Sequence, residues 1–304
     1  MKILLVGANS LLALALKPKL EKFAEVVMAC YSGYNTDLVL IDSIETFSIE
    51  SKFDTVVNCG TYIGGTPPDG VNSDVNVNVI STIRLLAACK RAAISYFVQV
   101  SSIYAKIKET SPFYTIDSCS KNHADSAAAQ ITAADNMDLL IVRPANIFGV
   151  GESYRKHQPF LANIMDRAQQ NQDIIINGTK DVFLNFIHEE DVAMAISKAI
   201  QLKLVGQYDC IYPVNVRHTQ IAQAAIAAFN STSRVSFDPE DPDNRVCKFK
   251  FDDALYQAID YFPQISILKG FQIEAALRGS NIEPVADKES EILYKWNNKL
   301  SCLR

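Results

Sequence analysis

The sequence predicts an α/β fold, a doubly wound parallel sheet followed by a smaller C-terminal lobe. Three observations predict it. The chain opens on an apolar run, a glycine turn and a helical pattern. Strand and helix patterns then alternate through about the first 145 residues, which implies parallel strands joined by right-handed crossovers with helices on both faces. After Phe148 the alternation stops, and the segments become shorter and more polar. The expected division is residues 1–150 as the sheet domain, with 180–216 returning to it, and 151–179 with 217–304 as the smaller lobe.

The first element is Lys2-Ile3-Leu4-Leu5-Val6, rich in strand formers and ended by Gly7. Leu11, Leu12, Leu14, Ala15 and Leu16 then recur at helical spacing up to Pro18, where the helix should stop. A buried strand, a tight turn and a helix presents backbone N–H groups and a positive helix end to a phosphate. The same turn can equally serve an α/β fold that binds no phosphate. Glu25 to Cys30 reads as the second strand and Leu38 to Asp42 as a short third. Lys52 to Gly60 is the fourth, ending in small residues that leave room at the sheet edge. Thr61 to Val71 is rich in Gly and Pro and reads as a loop. Val77, Ile80, Ile83, Leu85, Leu86 and Ala88 mark a long amphipathic helix. Tyr96 to Val100 is the fifth strand and delivers Ser101 and Ser102 to its C-terminal end. Asp117 to Asn136 is an Ala-rich helix, and Leu139 to Val142 the sixth strand, closed by Arg143-Pro144.

Composition excludes several classes of function. The 304 residues are 48% apolar, ample for a core. A net charge of −5 gives no footprint for nucleic acid or an anionic membrane. No run of apolar residues is long enough for a membrane span, and the first strand begins at residue 2, where a signal peptide would stand. Seven scattered cysteines, with no C-x-x-C pair, read as reduced thiols of a cytoplasmic protein. No His/Cys/Asp cluster has metal-ligand spacing, so no metal is expected.

Several stretches resemble the extended short-chain dehydrogenase/reductases, the NAD-dependent epimerase/dehydratase group that acts on nucleotide sugars. Gly7-Ala8-Asn9-Ser10-Leu11-Leu12-Ala13 resembles its G-x-x-G-x-x-G turn, with Ser10 and Ala13 in the second and third glycine positions. Asp54 to Gly60 resembles its D-x-V-I-H-x-A-A strand, and Val77 to Leu86 its V-N-x-x-G-T-x-x-L-L helix. Val98 to Ser102 resembles V-x-x-S-S, Ile141 to Gly149 resembles L-R-P-x-N-x-Y-G, and Asn185 to Ala193 resembles D-F-I-H-V-x-D-V-A. The resemblance implies a Rossmann-type fold, NAD or NADP as cofactor, a nucleotide sugar as substrate, and a homodimer built on helices 76–92 and 117–136. It implies cofactor contacts from Gly7, Asn9, Ser10, Leu11, Leu12, Asp42, Cys59, Gly60, Asn78, Ser101, Lys121, Arg143 and Pro144. It implies substrate contacts from Thr61, Ser102, Asn146 and Arg155. Ser10 places a side chain where the pyrophosphate should approach. The choice between NAD and NADP is not legible, because Tyr31-Ser32-Gly33 after the second strand carries neither an acid nor a base.

The family's reaction uses a Tyr four residues before a Lys on one helix face, with a Ser or Thr completing the proton relay. Ser120-Lys121 and Asp125 match the pattern around that Lys, but Asp117 holds the Tyr position. A carboxyl ordinarily titrates near 3.9, about six units below a phenol. Asp117 and Lys121 therefore read as an i,i+4 ion pair or as an altered relay. Two tyrosines stand as substitutes. Tyr114 lies seven residues, about 10.5 Å of rise, before Lys121. Tyr104 follows Ser102 by two residues and otherwise reads as a packed aromatic. The expected catalytic set is Ser102, Asp117, Lys121 and Tyr104. Where the family often carries an Arg to clamp the substrate diphosphate, this chain has Leu184. Arg155, Lys156 and His157 form either a replacement clamp or a solvated basic loop. Two functions follow: an epimerase or 4-keto reductase with an altered acid/base group, or a dinucleotide-binding sensor or partner subunit that has lost catalysis.

Overall fold

The computed structural model describes residues 1–30, 52–61, 74–111, 113–242 and 248–280, and the backbone alone at 39–40. The strands, numbered in chain order, are β1 Lys2–Val6, β2 Glu25–Cys30, β3 Val39–Leu40, β4 Thr55–Asn58, β5 Tyr96–Val100, β6 Asp138–Pro144, β7 Asn146–Phe148, β8 Ile174–Asn177, β9 Phe183–Leu184, β10 Phe186–His188, β11 Gly206–Cys210, β12 Val216–Arg217 and β13 Val235–Asp238. Seven of them form one sheet in the order β11-β6-β5-β4-β1-β2-β3, every pair parallel. The register sets Leu5 between Met28 and Val57. Chain order reverses between β1 and β4, the point where such sheets open a crevice beyond their carboxyl ends.

The central strands are buried on both faces. Ile3 to Val6 are 0–1% exposed, and all five residues of β5 are buried. Near-continuous apolar runs of this kind are what a parallel sheet covered by helices requires. One core joins Leu4, Val6, Val56 and Phe97 to Leu85, Leu86 and Ala128.

Helix α1 covers Leu11–Leu20 and runs through Pro18, where the sequence reading ended it. A proline inside a helix costs about 3 kcal/mol. Leu16 and Leu20 are both fully buried, and each contributes about 1.5–3 kcal/mol by burial, which offsets that cost. The ladder also resumes past the proline, with Glu21 N–H donating to the Lys17 carbonyl at 3.0 Å.

The next helix begins as a π-helix at Asp74–Ile80 before α2, Ser81–Arg91. The widened turn carries Asn78, whose Nδ2 donates to Ser120 Oγ at 3.0 Å. A short 3-10 helix, Ile103–Lys106, follows β5. Helix α3 is Ile116–Ala134; its N-cap Thr115 accepts from Ser118 N at 3.3 Å.

The remaining helices are α4 Glu152–His157, α5 Pro159–Gln169, α6 Glu189–Gln201, α7 His218–Ala228, α8 Ala254–Ile259 and α9 Ile267–Leu277. The chain divides into two units. The first is Met1–Pro144, Ala193–Cys210 and Asp253–Asp260; the second is Ala145–Val192, Ile211–Asp252 and Tyr261–Arg304. The sequence reading placed the boundary at 150 and the returning segment at 180–216. The returning segment is shorter because β10 pairs with β7 in the second unit, whereas β11 pairs with β6 in the first. Asp253–Asp260 joins the first unit because Leu255, Tyr256 and Ile259 of α8 are buried and the Tyr256 hydroxyl donates to Cys210 Sγ at 3.7 Å.

The second unit has three two-stranded ladders, β7 with β10, β9 with β12 and β8 with β13. Its core gathers Phe148, Leu161, Ile164, Ile174, Phe186, Ile221 and Phe271. Asp191, buried, ties this unit together, accepting from the Tyr261 hydroxyl at 2.5 Å and from the amides of Gln264 and Ile265 at 2.9 Å.

Candidate functional site

The crevice at the sheet reversal is built on two glycines. Gly7 follows β1 with φ +90°, and a Cβ there would lie 2.6 Å from the Gly60 amide nitrogen and 2.7 Å from the Cys59 carbonyl carbon. Only glycine fits such a conformation and approach. The amides of Gly7 and Ala8 both donate to the Ala29 carbonyl, at 2.9 and 3.0 Å, so the turn is anchored to β2. Asn9 is exposed at its tip.

Ser10 does not stand out into the crevice. Its Oγ accepts from Ala13 N at 3.1 Å and caps α1. The capping bond turns the side chain onto its own helix and satisfies one of the four orphan amides of the first turn. Leu11 and Leu12 are the first two helical residues, whose amides point toward an anion at a helix start.

Asn58 fixes the end of β4. Its Oδ1 accepts from Gly60 N at 3.1 Å, and its Nδ2 donates to Gln99 Oε1 at 3.0 Å and Thr82 Oγ1 at 3.3 Å. Cys59 is a buried, neutral wall, its thiol pushed up to about 12 by burial. Asp42 lies outside the described residues.

Asn78 is buried and committed: besides Ser120, it reaches Asp74 Oδ1 at 3.5 Å, while the Thr61 hydroxyl donates to its Oδ1 at 3.2 Å. It holds the π-helix to α3. The chain of bonds continues through the Ser120 hydroxyl, which donates to the Asp117 carbonyl at 3.0 Å.

Asp117, Lys121 and Asp125 share one face of α3. Lys121 Nζ lies 2.9 Å from Asp117 Oδ1 and 3.1 Å from Oδ2, with the side chains 11% and 23% exposed. Asp125, buried, pairs with Arg143 Nε at 2.8 Å, and Arg143 Nη2 donates to Gln207 Oε1 at 2.7 Å. Burial pushes the Asp125 carboxyl above its ordinary range, and the Arg143 charge opposes that shift. Arg143, expected to touch cofactor, thus spends its guanidinium on α3 and β11. Pro144 closes β6 and is buried.

Ser101 N donates to the Val142 carbonyl at 2.8 Å. Ser102 Oγ accepts from Tyr104 N at 3.3 Å and caps the 3-10 helix. That helix is held to α3 by Asn122 Nδ2, which donates to the Ala105 carbonyl at 2.9 Å. Tyr104 sits half-buried in its first turn. Tyr114 precedes α3, as the sequence suggested, but its hydroxyl bonds to Cys119, which pushes the phenol up to about 12. Cys119 lies about 200° around the helix from Asp117, so Tyr114 is engaged away from the Lys121 face.

In the second unit, Asn146 N and Nδ2 both donate to the Asn185 carbonyl, at 3.2 and 2.9 Å. Arg155 is in α4, a helix and not the solvated basic loop of the alternative reading. Both of its terminal nitrogens bond the Asp166 carboxylate, one at 2.8 Å. Asp166 also holds Arg278 at 2.8 Å, whose Nε bonds Glu274 Oε1 at 2.7 Å, and Glu274 Oε2 accepts from Gly151 N at 2.6 Å. The guanidinium expected to clamp a diphosphate is therefore already filled by a carboxylate. Leu184 lies in β9, paired with Val216. His188 is buried against Phe148, ring centroids 5.0 Å apart, a packing role.

The signals that sequence reading missed are the partners rather than the residues. Asn58, Gln99, Gln207 and Asp166 were all visible, but nothing in local spacing links β4 to β5 or α4 to α5. Among the described residues no group of three or more His, Cys, Asp and Glu is arranged for a metal, and no helix is long and apolar enough to cross a membrane. Cys30, Cys59, Cys89, Cys119 and Cys210 are thiols outside any disulfide.

The UDP-N-acetylglucosamine 4-epimerase of Bacillus cereus superposes with a TM-score of 0.76 at 15% identity, covering 91% of this chain and 99% of that one. The UDP-glucose 4-epimerase of Thermus thermophilus, in complex with NAD, does so with a TM-score of 0.76 at 15% identity over 92% of this chain and 100% of that one. The UDP-glucuronic acid 4-epimerase of Bacillus cereus, bound to UDP-glucuronic acid and NAD, gives 0.76 at 15% identity over 91% and 98%. At this identity the likeness is one of fold. No curated protein matches the sequence. A model of the NAD-dependent epimerase/dehydratase family matches residues 4–212, more than half of the chain, from the first strand through the β11 edge of the sheet, and the chain belongs to that family.

Proposed function

We propose that this chain binds NAD in the β1/β4 crevice and acts on a nucleotide sugar, as an epimerase or 4-keto reductase with Asp117 in the acid/base position. The observation that carries the reading is the Gly7–Gly60 approach in front of the start of α1. A backbone wall with no Cβ, next to oriented helix amides, suits a pyrophosphate. The NAD complexes of structural neighbours support a nicotinamide dinucleotide as the cofactor.

When bound, the nicotinamide supplies the hydride acceptor and donor. The chain's own residues bind and orient around it. The amides of Leu11 and Leu12 face the phosphates, and Cys59 and Gly60 floor the pocket. Lys121 holds ribose hydroxyls after leaving Asp117. Ser102 holds the reacting sugar oxygen, and Tyr104 or water moves its proton. Thr61 contributes to the sugar subsite. The homodimer on α2 and α3 belongs to the same reading; light scattering at micromolar concentration tests it, and a monomer would remove it.

A second reading is favoured by one observation. Lys121 Nζ contacts both oxygens of Asp117, a closed ion pair in the place of a relay. On that reading the chain binds the dinucleotide and does not turn over. The two are separated by incubating the protein with NAD(P)H and 4-keto nucleotide sugars while following nicotinamide absorbance, and with UDP-sugars while following epimer formation. Turnover supports the enzyme; cofactor binding without turnover supports the second reading.

A further inference from the structure

Strands β4 and β5 carry two amides where a sheet covered on both faces ordinarily takes Val, Ile or Leu. Asn58 and Gln99 are partners in the β4–β5 register and are 1% and 5% exposed. A buried amide is costly unless its donors and acceptors are met. Asn58 uses both ends. Its Nδ2 donates to Gln99 Oε1 at 3.0 Å and Thr82 Oγ1 at 3.3 Å, and its Oδ1 accepts from Gly60 N at 3.1 Å. Thr82 in turn donates to the Asn78 carbonyl at 2.8 Å. The orientation of this one side chain is therefore fixed from β5, from α2 and from its own strand end.

We propose that Asn58 is a positioning residue for the dinucleotide: it holds the Cys59–Gly60 peptide against Gly7 and so sets the width of the crevice floor. The proposal rests on the crevice reading given above. The Cys59 amide donates to the Val6 carbonyl at 2.9 Å, in line with the strand, whereas the next amide, that of Gly60, turns back onto Asn58. An Asn side chain that accepts from the amide two residues on makes a turn by itself, without a partner elsewhere in the fold. This turn falls where the ends of β1 and β4 meet. A Cβ on Gly7 would lie 2.6 Å from Gly60 N and 2.9 Å from Gly60 Cα. The nitrogen that Asn58 holds is thus the atom nearest to that Cβ. Without the Oδ1 acceptor the Gly60 amide must find another partner, and the Cys59–Gly60 peptide can rotate into the space a pyrophosphate fills. Asn58 itself, buried on β4, acts only through Gly60.

The test is calorimetric titration of the full chain with NAD, beside urea unfolding of each protein, at a temperature where circular dichroism shows the variants folded. Asn58→Ala and Asn58→Leu remove the acceptor, one leaving the space and one filling it. Each should weaken NAD binding about tenfold, the worth of one hydrogen bond at its upper end. Asn58→Ser keeps an oxygen that accepts from the amide two residues on, and should restore binding to near the wild-type value. Gln99→Leu takes a partner from the same amide but leaves the Gly60 bond, so stability falls and NAD affinity stays. Affinity that falls in Gln99→Leu as far as in Asn58→Ala follows stability and overturns the proposal. So does unchanged affinity in Asn58→Ala or Asn58→Leu, or binding in Asn58→Ser as weak as theirs. No heat of binding in wild type removes the crevice reading and this proposal with it, so the two failures are told apart by the wild type alone.

Discussion

Lys121 Nζ lies 2.9 Å from one carboxylate oxygen of Asp117 and 3.1 Å from the other, one turn along the same helix. Asp117 is the only acidic residue in the first turn of α3, where a negative charge also meets the positive helix end. Two favourable interactions thus hold the Asp117 carboxylate in place. On the function proposed above, where Asp117 stands in the acid/base position, proton transfer rather than binding is the step altered.

Asp117→Tyr should restore a relay with Lys121 and Ser102. General acid/base catalysis is worth about 10²–10⁴-fold, and a gain in that range on a 4-keto nucleotide sugar, read by NADH absorbance, is the expected outcome. A wild type that is already active and a slower variant would mean that Asp117 itself, or Tyr104, carries the proton.

Ser10 separates capping from crowding. Ser10→Ala removes the bond to Ala13 N and should lower stability by about 1 kcal/mol in urea unfolding. Ser10→Gly should cost only a few tenths of a kcal/mol and, because the side chain is turned onto its own helix, leave NAD binding unchanged. No loss of stability in Ser10→Ala would mean that the cap does not contribute.

Asp166 sets a pH dependence in the second unit. Its bonds to Arg155, and then to Arg278, hold the carboxyl below its ordinary value of 3.8, against a burial effect that raises it. A depressed folded pKa contributes stability that is present above the ordinary value and lost as pH falls through the folded one. Asp166→Asn should therefore cost about 1 kcal/mol at neutral pH, a part-exposed network being worth little more. The gap to wild type should close as pH drops below 3.8, measured by thermal unfolding across acid buffers.

The fold was legible where burial alone decides it. β1 and β5 are strands because an apolar run buried on both faces has few other solutions, and their limits agree with the sequence reading. The order of the family's motifs carried the rest of the sheet. Pro18 was misread because the burial of Leu20 outweighs a local breaker, and local rules do not contain that burial. The candidate site was legible as residue types and not as partnerships. Asn78, Arg143 and Arg155 were read as ligand-facing. Their hydrogen bonds go to Ser120, Asp125 and Asp166, at separations of 42, 18 and 11 residues. Tyr114 was a candidate proton carrier, but it precedes the N-cap Thr115 of α3.

Calorimetric titration with NAD of wild type beside Gly7→Ala tests the crevice most directly. The account predicts saturable binding at one site per chain in wild type. In Gly7→Ala binding is lost, because the added Cβ falls 2.6 Å from the Gly60 amide. The Gly7→Ala comparison is made below the melting temperature of the variant, established by circular dichroism. No heat of binding in wild type, or equal binding in both proteins, would contradict the account.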